Sequence, residues 1–269
     1  MSLKTKTDGL AACLRFGNPL QLVLARLFFR KSRFVPHRLG GAQFVADQSG
    51  GDECGLRPCL VEGMYDPFLA AAGISNAGAP LDIADLGANA GGFSLIFAAR
   101  RLAVRKILAV EMNPLTHSRL RLNLLTNFGP AAVPLNAAVG GRDGSIQVPF
   151  TFGGTGDSVP RAGKTAGSLF EVPMLSLDSL LGAEFPGGSI DLLKMDIEGA
   201  EWDVLGSGQC RFLANCKNLI VEIHPRGGRA LESFADAVRG FRLLLDPVRN
   251  PAAADVFLFR KETPAGANP

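Results

Sequence analysis

From Leu81 onward, short apolar runs alternate with stretches whose apolar positions recur at helical spacing. The runs Leu81–Leu86, Lys106–Glu111, Val133–Val139, Ile146–Phe150, Val172–Leu175, Ile190–Met195, Leu219–Ile223, Phe241–Leu245 and Asp255–Arg260 predict β-strands. Between many of them, Gly92–Arg101, Pro114–Phe128, Ala200–Leu205 and Arg229–Arg239 predict helices. This alternation implies an α/β fold of Rossmann-like type, a mostly parallel sheet with helices on both faces. Residues 1–80 do not follow it and read as a helical or irregular N-terminal cap, leaving 81–262 as the main domain and 263–269 as a flexible tail. Thr151 to Ser168 holds Gly153, Gly154, Gly156, Gly163 and Gly167, and is expected to be a flexible loop that closes over a bound substrate.

Composition changes this picture little. The chain has 269 residues, 47% of them hydrophobic and 20% charged, as expected of an ordinary globular protein. The apolar run Leu20–Ala25 is too short to span a bilayer and is closed by Arg26, so a cytoplasmic protein without a secretory signal is expected. Five cysteines, Cys13, Cys54, Cys59, Cys210 and Cys216, lack the paired spacing of a zinc ribbon and read as reduced thiols. Charge adds one feature. Residues 1–40 carry Lys4, Lys6, Arg15, Arg26, Arg30, Lys31, Arg33 and Arg38 against Asp8, and the remainder is net acidic although the whole chain is +3. That asymmetry allows weak peripheral contact with an anionic membrane, or simply a solvated helix face. Aromatic residues are too few in the basic segment for nucleic acid to be the expected partner.

The turn after the first strand of the main domain carries the chemistry. Gly87-Ala88-Asn89-Ala90-Gly91 follows Leu86 directly and opens a predicted helix, the place where backbone approaches an anionic or polar ligand. A dinucleotide fingerprint would have a second glycine where Asn89 stands, which disfavours a pyrophosphate. Asp85 at the strand end would repel a pyrophosphate and attract a sulfonium or ammonium. Glu111, followed by Met112, ends the next strand and suits the hydroxyls of a ribose, while Asn136 and Ala137 end the third and suit adenine. These residues predict an adenosine-sized ligand across the strand ends, with S-adenosylmethionine favoured because it carries both cations. On this reading Gly87→Val abolishes ligand binding and leaves the fold intact.

Two further strand ends belong to the same edge: Lys194-Met195-Asp196-Ile197-Glu198-Gly199-Ala200-Glu201, and Glu222 with His224. With Asp85 to Gly91, Glu111, Leu177-Asp178-Ser179-Leu180 and the segment Glu62-Gly63-Met64-Tyr65-Asp66, the chain resembles FkbM-type S-adenosylmethionine-dependent methyltransferases, a class I family. The resemblance covers about residues 60–225, and its specific part is the string from Lys194 to Glu201. It implies six parallel strands and a last antiparallel one at Asp255–Arg260, and methyl transfer to a hydroxyl of a sugar or other small metabolite.

Alcohol methylation needs a base. His224 is expected to titrate near neutral pH and take the proton, Asp196 to orient the hydroxyl and meet the cofactor, and Lys194 to hold Asp196 ionised. Glu198 and Glu201 read as first-turn complements of a helix dipole. No metal is expected; a magnesium site built on Asp196 and Glu222 is the alternative, lacking a third oxygen ligand. A nicotinamide-dependent oxidoreductase using Glu111 for its ribose, and a non-catalytic adenosyl-ligand-binding protein, remain as rival readings.

Overall fold

The computed structural model describes residues 13–28, 34–47, 52–75, 78–149, 169–224, 238, 240–246 and 255–262. The glycine-rich stretch 151–168, the tail 263–269 and, apart from Val238, the expected helix Arg229–Arg239 lie outside the described residues.

In chain order the strands are β1 (Phe34–Leu39), β2 (Ala42–Asp47), β3 (Leu81–Leu86), β4 (Val104–Val110), β5 (Ala132–Leu135), β6 (Ala138–Gly140), β7 (Gly144–Pro149), β8 (Leu169–Ser176), β9 (Ile190–Met195), β10 (Cys216–Glu222), β11 (Phe241–Leu245) and β12 (Val256–Lys261). Seven of them form one sheet in the order β11-β12-β10-β9-β3-β4-β5. Strand β3 runs parallel to β4 and β9, and β9 to β10, whereas β12 is antiparallel to both of its neighbours. The expected odd strand is therefore the antiparallel one. The chain order reverses between β3 and β9, which makes their C-terminal ends the place where such sheets bind ligands.

The central strands β3, β4, β9 and β10 are buried on both faces, as a helix-covered parallel sheet demands. Ile83, Ile107, Leu192 and Ile220 point into one core with Phe68, Phe93 and Phe97 from the covering helices. Ala84, Leu108, Leu193 and Leu219 point into the other, with Leu177, Leu181 and Val204. The alternation of period two thus sends adjacent residues of β3 into opposite cores.

Three sequence expectations change here. The run Val133–Val139 is not one strand: it breaks at Asn136, and β6 leaves the large sheet to pair with β8 in a second sheet ordered β6-β8-β7. Asn136 Nδ2 donates to the carbonyls of Glu111 (2.8 Å) and Met112 (3.0 Å), groups left without strand partners at the end of β4. Leu177–Glu184 is a helix, capped by Ser176, whose hydroxyl accepts the Ser179 N–H. The cap is also not merely helical or irregular, because β1 and β2 form an antiparallel hairpin in it. Burial alternates on both sides of Gly40-Gly41, as in a hairpin with one face covered.

The cap is fastened to the helix Pro114–Phe128 by paired polar groups. Arg119 forks onto buried Asp52 at 2.6 and 2.7 Å. Asn123 lies alongside β2 as a strand would: its Oδ1 accepts the Val45 N–H at 2.8 Å, and its Nδ2 reaches the carbonyls of Val45 (3.1 Å) and Ala90 (2.9 Å). One turn later Asn127 repeats the exchange with Gln43.

Candidate functional site

At the C-terminal ends of β3, β4 and β9 lies a cavity of about 320 Å³. It is lined by Gly87, Ala88, Asn89, Glu111, Met112, Ala137 and Val139, and by Lys194, Asp196, Glu198 and Glu222. The cap closes it with Gly55, Pro58, Cys59, Met64 and Tyr65, the first three of which carried no sequence signal. Tyr65 is held by the edge of its ring against Phe93, 4.9 Å between centroids.

The glycine turn is set by backbone geometry. Gly87 has φ +75°, and a Cβ there would fall 1.7 Å from the Asp196 carbonyl oxygen. What demands glycine is thus the passage of β9's end beside β3, not only the approach of a ligand. The expectation that Gly87→Val spares the fold is corrected accordingly: any side chain there drives the two strand ends apart. Asn89 adopts φ +50°, a left-handed conformation that asparagine tolerates better than most residues. Gly91, at φ +98°, caps the helix Gly92–Ala99 and faces Leu120 rather than the cavity.

Glu111 ties the turn to the end of β4. Its Oε2 accepts the Asn89 N–H at 3.0 Å and its Oε1 accepts the Asn113 N–H at 2.7 Å. A carboxylate oxygen has a second lone pair, so the group can still accept hydroxyls from the cavity.

Behind the turn, Lys194 Nζ stands 3.1 Å from Asp196 Oδ2, 3.5 Å from Asp85 Oδ1 and 2.9 Å from the Gly87 carbonyl oxygen. Burial opposes the ammonium charge, but Asp196 and Asp85 outweigh it and hold Lys194 well above its usual range. Asp85 is fully buried, takes the Ser94 hydroxyl at 2.7 Å and does not line the cavity. The sequence expectation that Asp85 faces a bound cation is therefore corrected, since Ser94 and Lys194 occupy its carboxylate. Asn136 likewise turns to carbonyls instead of the cavity.

His224 departs furthest from expectation. Its Nδ1 lies 3.0 Å from Oε1 of fully buried Glu201, and its Nε2 lies 3.5 Å from Glu198 and 3.8 Å from Glu222. The hydrogen bond to Glu201 raises its pKa to about 9 against the cost of burial, so at neutral pH it is an imidazolium with no free base to offer. It is also absent from the cavity wall. Glu201 is more than a dipole complement: the same Oε1 accepts the N–H groups of Ile197 (3.0 Å) and Gly199 (3.2 Å), bracing a turn in which Glu198 has φ +55°.

Glu222 is the residue the sequence undervalued. It lines the cavity, and burial followed by the nearby Asp196 charge raises its pKa to about 7. Asp196, Glu198 and His224 bring ligand atoms within 4.8 Å of one another. Lys194 pairs with Asp196 at 3.1 Å, and His224 Nε2 lies 3.5 Å from Glu198.

Comparison with known proteins follows the same residues. The Methyltransferase FkbM domain matches residues 85–243. A methyltransferase, sdnD, from Sordaria araneosa is 29% identical over 194 residues, covering 61% of this chain and 74% of that protein. Among solved structures, a methyltransferase FkbM from Methylobacillus flagellatus shares 17% identity over 70% of this chain with a TM-score of 0.46, and the chain spans 46% of that protein's length. A SAM-dependent methyltransferase from Agrobacterium tumefaciens shares 12% identity over 86% of this chain and 70% of its own, with a TM-score of 0.46.

Proposed function

The chain belongs to the FkbM methyltransferase family, and from that premise we propose that it methylates a hydroxyl of a small metabolite or sugar, with Glu222 taking the proton. It is a methyltransferase, and S-adenosylmethionine is its methyl donor. That membership stands against the oxidoreductase and the non-catalytic readings. The observation that carries the proposal is the Glu222 carboxyl on the cavity wall with its pKa raised to about 7. A carboxylate poised near working pH is a far better general base than an ordinary one.

The residues suit the donor. Glu111 presents oxygens for a ribose, Met112, Val110 and Ala137 give an apolar wall for a base, and Asp196 presents a carboxylate to a cation. S-adenosylmethionine supplies a methyl group on a sulfonium, an electrophile that needs only an aligned nucleophile. Asp196, paired with Lys194, would orient the acceptor hydroxyl, and Glu222 would remove its proton as the carbon–oxygen bond forms. Tyr65 and Cys59 from the cap restrict the space left for the acceptor. Replacing Glu111 by alanine should weaken S-adenosylmethionine binding by roughly 1 to 3 kcal/mol, because it removes acceptors from the ribose and from the Asn89 and Asn113 amides together. Isothermal titration reads this directly; an unchanged affinity would place the ribose elsewhere.

Incubating the chain with methyl-labelled S-adenosylmethionine and a set of hydroxylated sugars and metabolites should yield a methyl ether identifiable by mass spectrometry. Product formation should persist in EDTA. Label appearing on nitrogen acceptors in place of alcohols would overturn the hydroxyl reading. Loss in EDTA with recovery in magnesium would replace the Glu222 base by a metal-activated hydroxyl.

A further inference from the structure

The N-terminal helix Pro19–Phe28 is apolar on two sides. Its Leu22 packs inward, 4% exposed, in a small cluster with Cys13 and Val35. Facing away are Leu20 (71% exposed), Leu24 (40%), Leu27 (54%) and Phe28 (73%), at spacings of four, three and one that place them along one outer side of the helix. Leu14 (73%) precedes this stripe and Phe34 (53%) follows it, so six of the large hydrophobics most exposed among the described residues fall within 21 positions of sequence. A soluble surface ordinarily scatters such side chains; clustered ones mark a surface that meets something apolar.

Charge indicates which apolar surface. Arg15 and Arg38, both exposed, flank the helix. In sequence the first 40 residues hold eight lysines and arginines against one aspartate. A hydrophobic protein partner would need no such excess, whereas an anionic lipid surface is complementary to it: acyl chains take the leucines and phenylalanine, and headgroup phosphates take the basic side chains. No described helix is long and apolar enough to cross a membrane, and ten residues of helix reach only about 15 Å. We propose that this face docks the enzyme on the surface of a bilayer containing anionic phospholipid, with the helix Pro19–Phe28 lying in the interface.

The test is co-sedimentation of the full chain with phosphatidylcholine vesicles made with and without phosphatidylglycerol. Binding should be at least ~10-fold stronger on the anionic vesicles and should fall as salt rises. The triple change Leu20→Glu, Leu24→Glu, Leu27→Glu should abolish it while S-adenosylmethionine affinity stays unchanged, which also reports that the variant folds. If that variant fails to fold, Arg15→Glu with Arg38→Glu is the second probe, expected to lower anionic-vesicle binding at least ~3-fold. Absence of vesicle binding, or equal binding to both compositions, overturns the proposal. So does a concentration-dependent dimer, seen by sedimentation velocity, that Leu24→Glu disperses, for then a second copy covers the face.

Discussion

Glu222→Gln should lower turnover by roughly 10² to 10⁴, the range of a general-base contribution, while S-adenosylmethionine affinity stays close to that of the unchanged chain. The amide keeps the shape of the side chain and loses its capacity to accept a proton. In the unchanged protein the ionised form of Glu222 is the active one, so turnover should rise with pH through about 7 and then level. The contrast with His224→Gln makes the result interpretable. The imidazolium of His224 lowers the Glu222 pKa, in opposition to burial, Asp196 and Glu198. Its removal should therefore push the rising limb to higher pH and leave the plateau largely intact. A pH–rate profile separates the two assignments. Collapse of turnover at every pH in His224→Gln, with Glu222→Gln nearly unaffected, would return the proton to the imidazole.

Lys194→Met should destabilise the fold by about 3 to 5 kcal/mol, the cost of removing one partner from a buried ion pair. The ammonium is the common partner of Asp85, Asp196 and the Gly87 carbonyl, and methionine fills its space without answering any of them. Asp85 suffers most, being fully buried with one oxygen on Ser94 and the other turned toward Lys194. The deficit should shrink as pH falls, because carboxyls deprived of the cation take up protons. Urea unfolding of both proteins across a pH series measures this. A loss below about 1 kcal/mol at neutral pH would mean that Lys194 acts as a surface charge, contrary to its burial.

The strands that build the binding edge were legible because burial on both faces writes itself as largely apolar runs: Leu81–Leu86 and Ile190–Met195 have the same bounds in sequence and structure. Gly87, Asn89, Glu111, Met112, Ala137, Lys194 and Asp196 were found by position at strand ends, and all seven line the cavity. What sequence position cannot convey is which neighbour a polar group turns to. Asp85 sits at the right strand end, yet its carboxylate is claimed by Ser94 and Lys194 from elements read separately. His224 was taken as a neutral base because a lone imidazole titrates near neutrality; Glu201 first, then Glu198 and Asp196, make it a cation. Burial and the nearby Asp196 charge give Glu222 its basicity, and no local pattern announces it. Asn136 ends a strand by capturing two carbonyls distant in sequence, which an apolar run cannot foretell. The hairpin in the cap was missed, because exposed Phe34 and buried His37 break the match between apolar positions and alternating burial.

The asparagine and arginine contacts along the helix Pro114–Phe128 bear on how such an enzyme can be altered. Asn123 serves the cap at Val45 and the glycine turn at Ala90 with one side-chain amide, and Arg119 and Asn127 extend the seam toward Asp52 and Gln43. Specificity therefore does not reside in a detachable module. A chimera that imports another hairpin without this helix would leave the buried Asn123 amide unmatched and would loosen the glycine turn together with the cap. The unit to transplant is the hairpin, the segment through Tyr65 and the helix together.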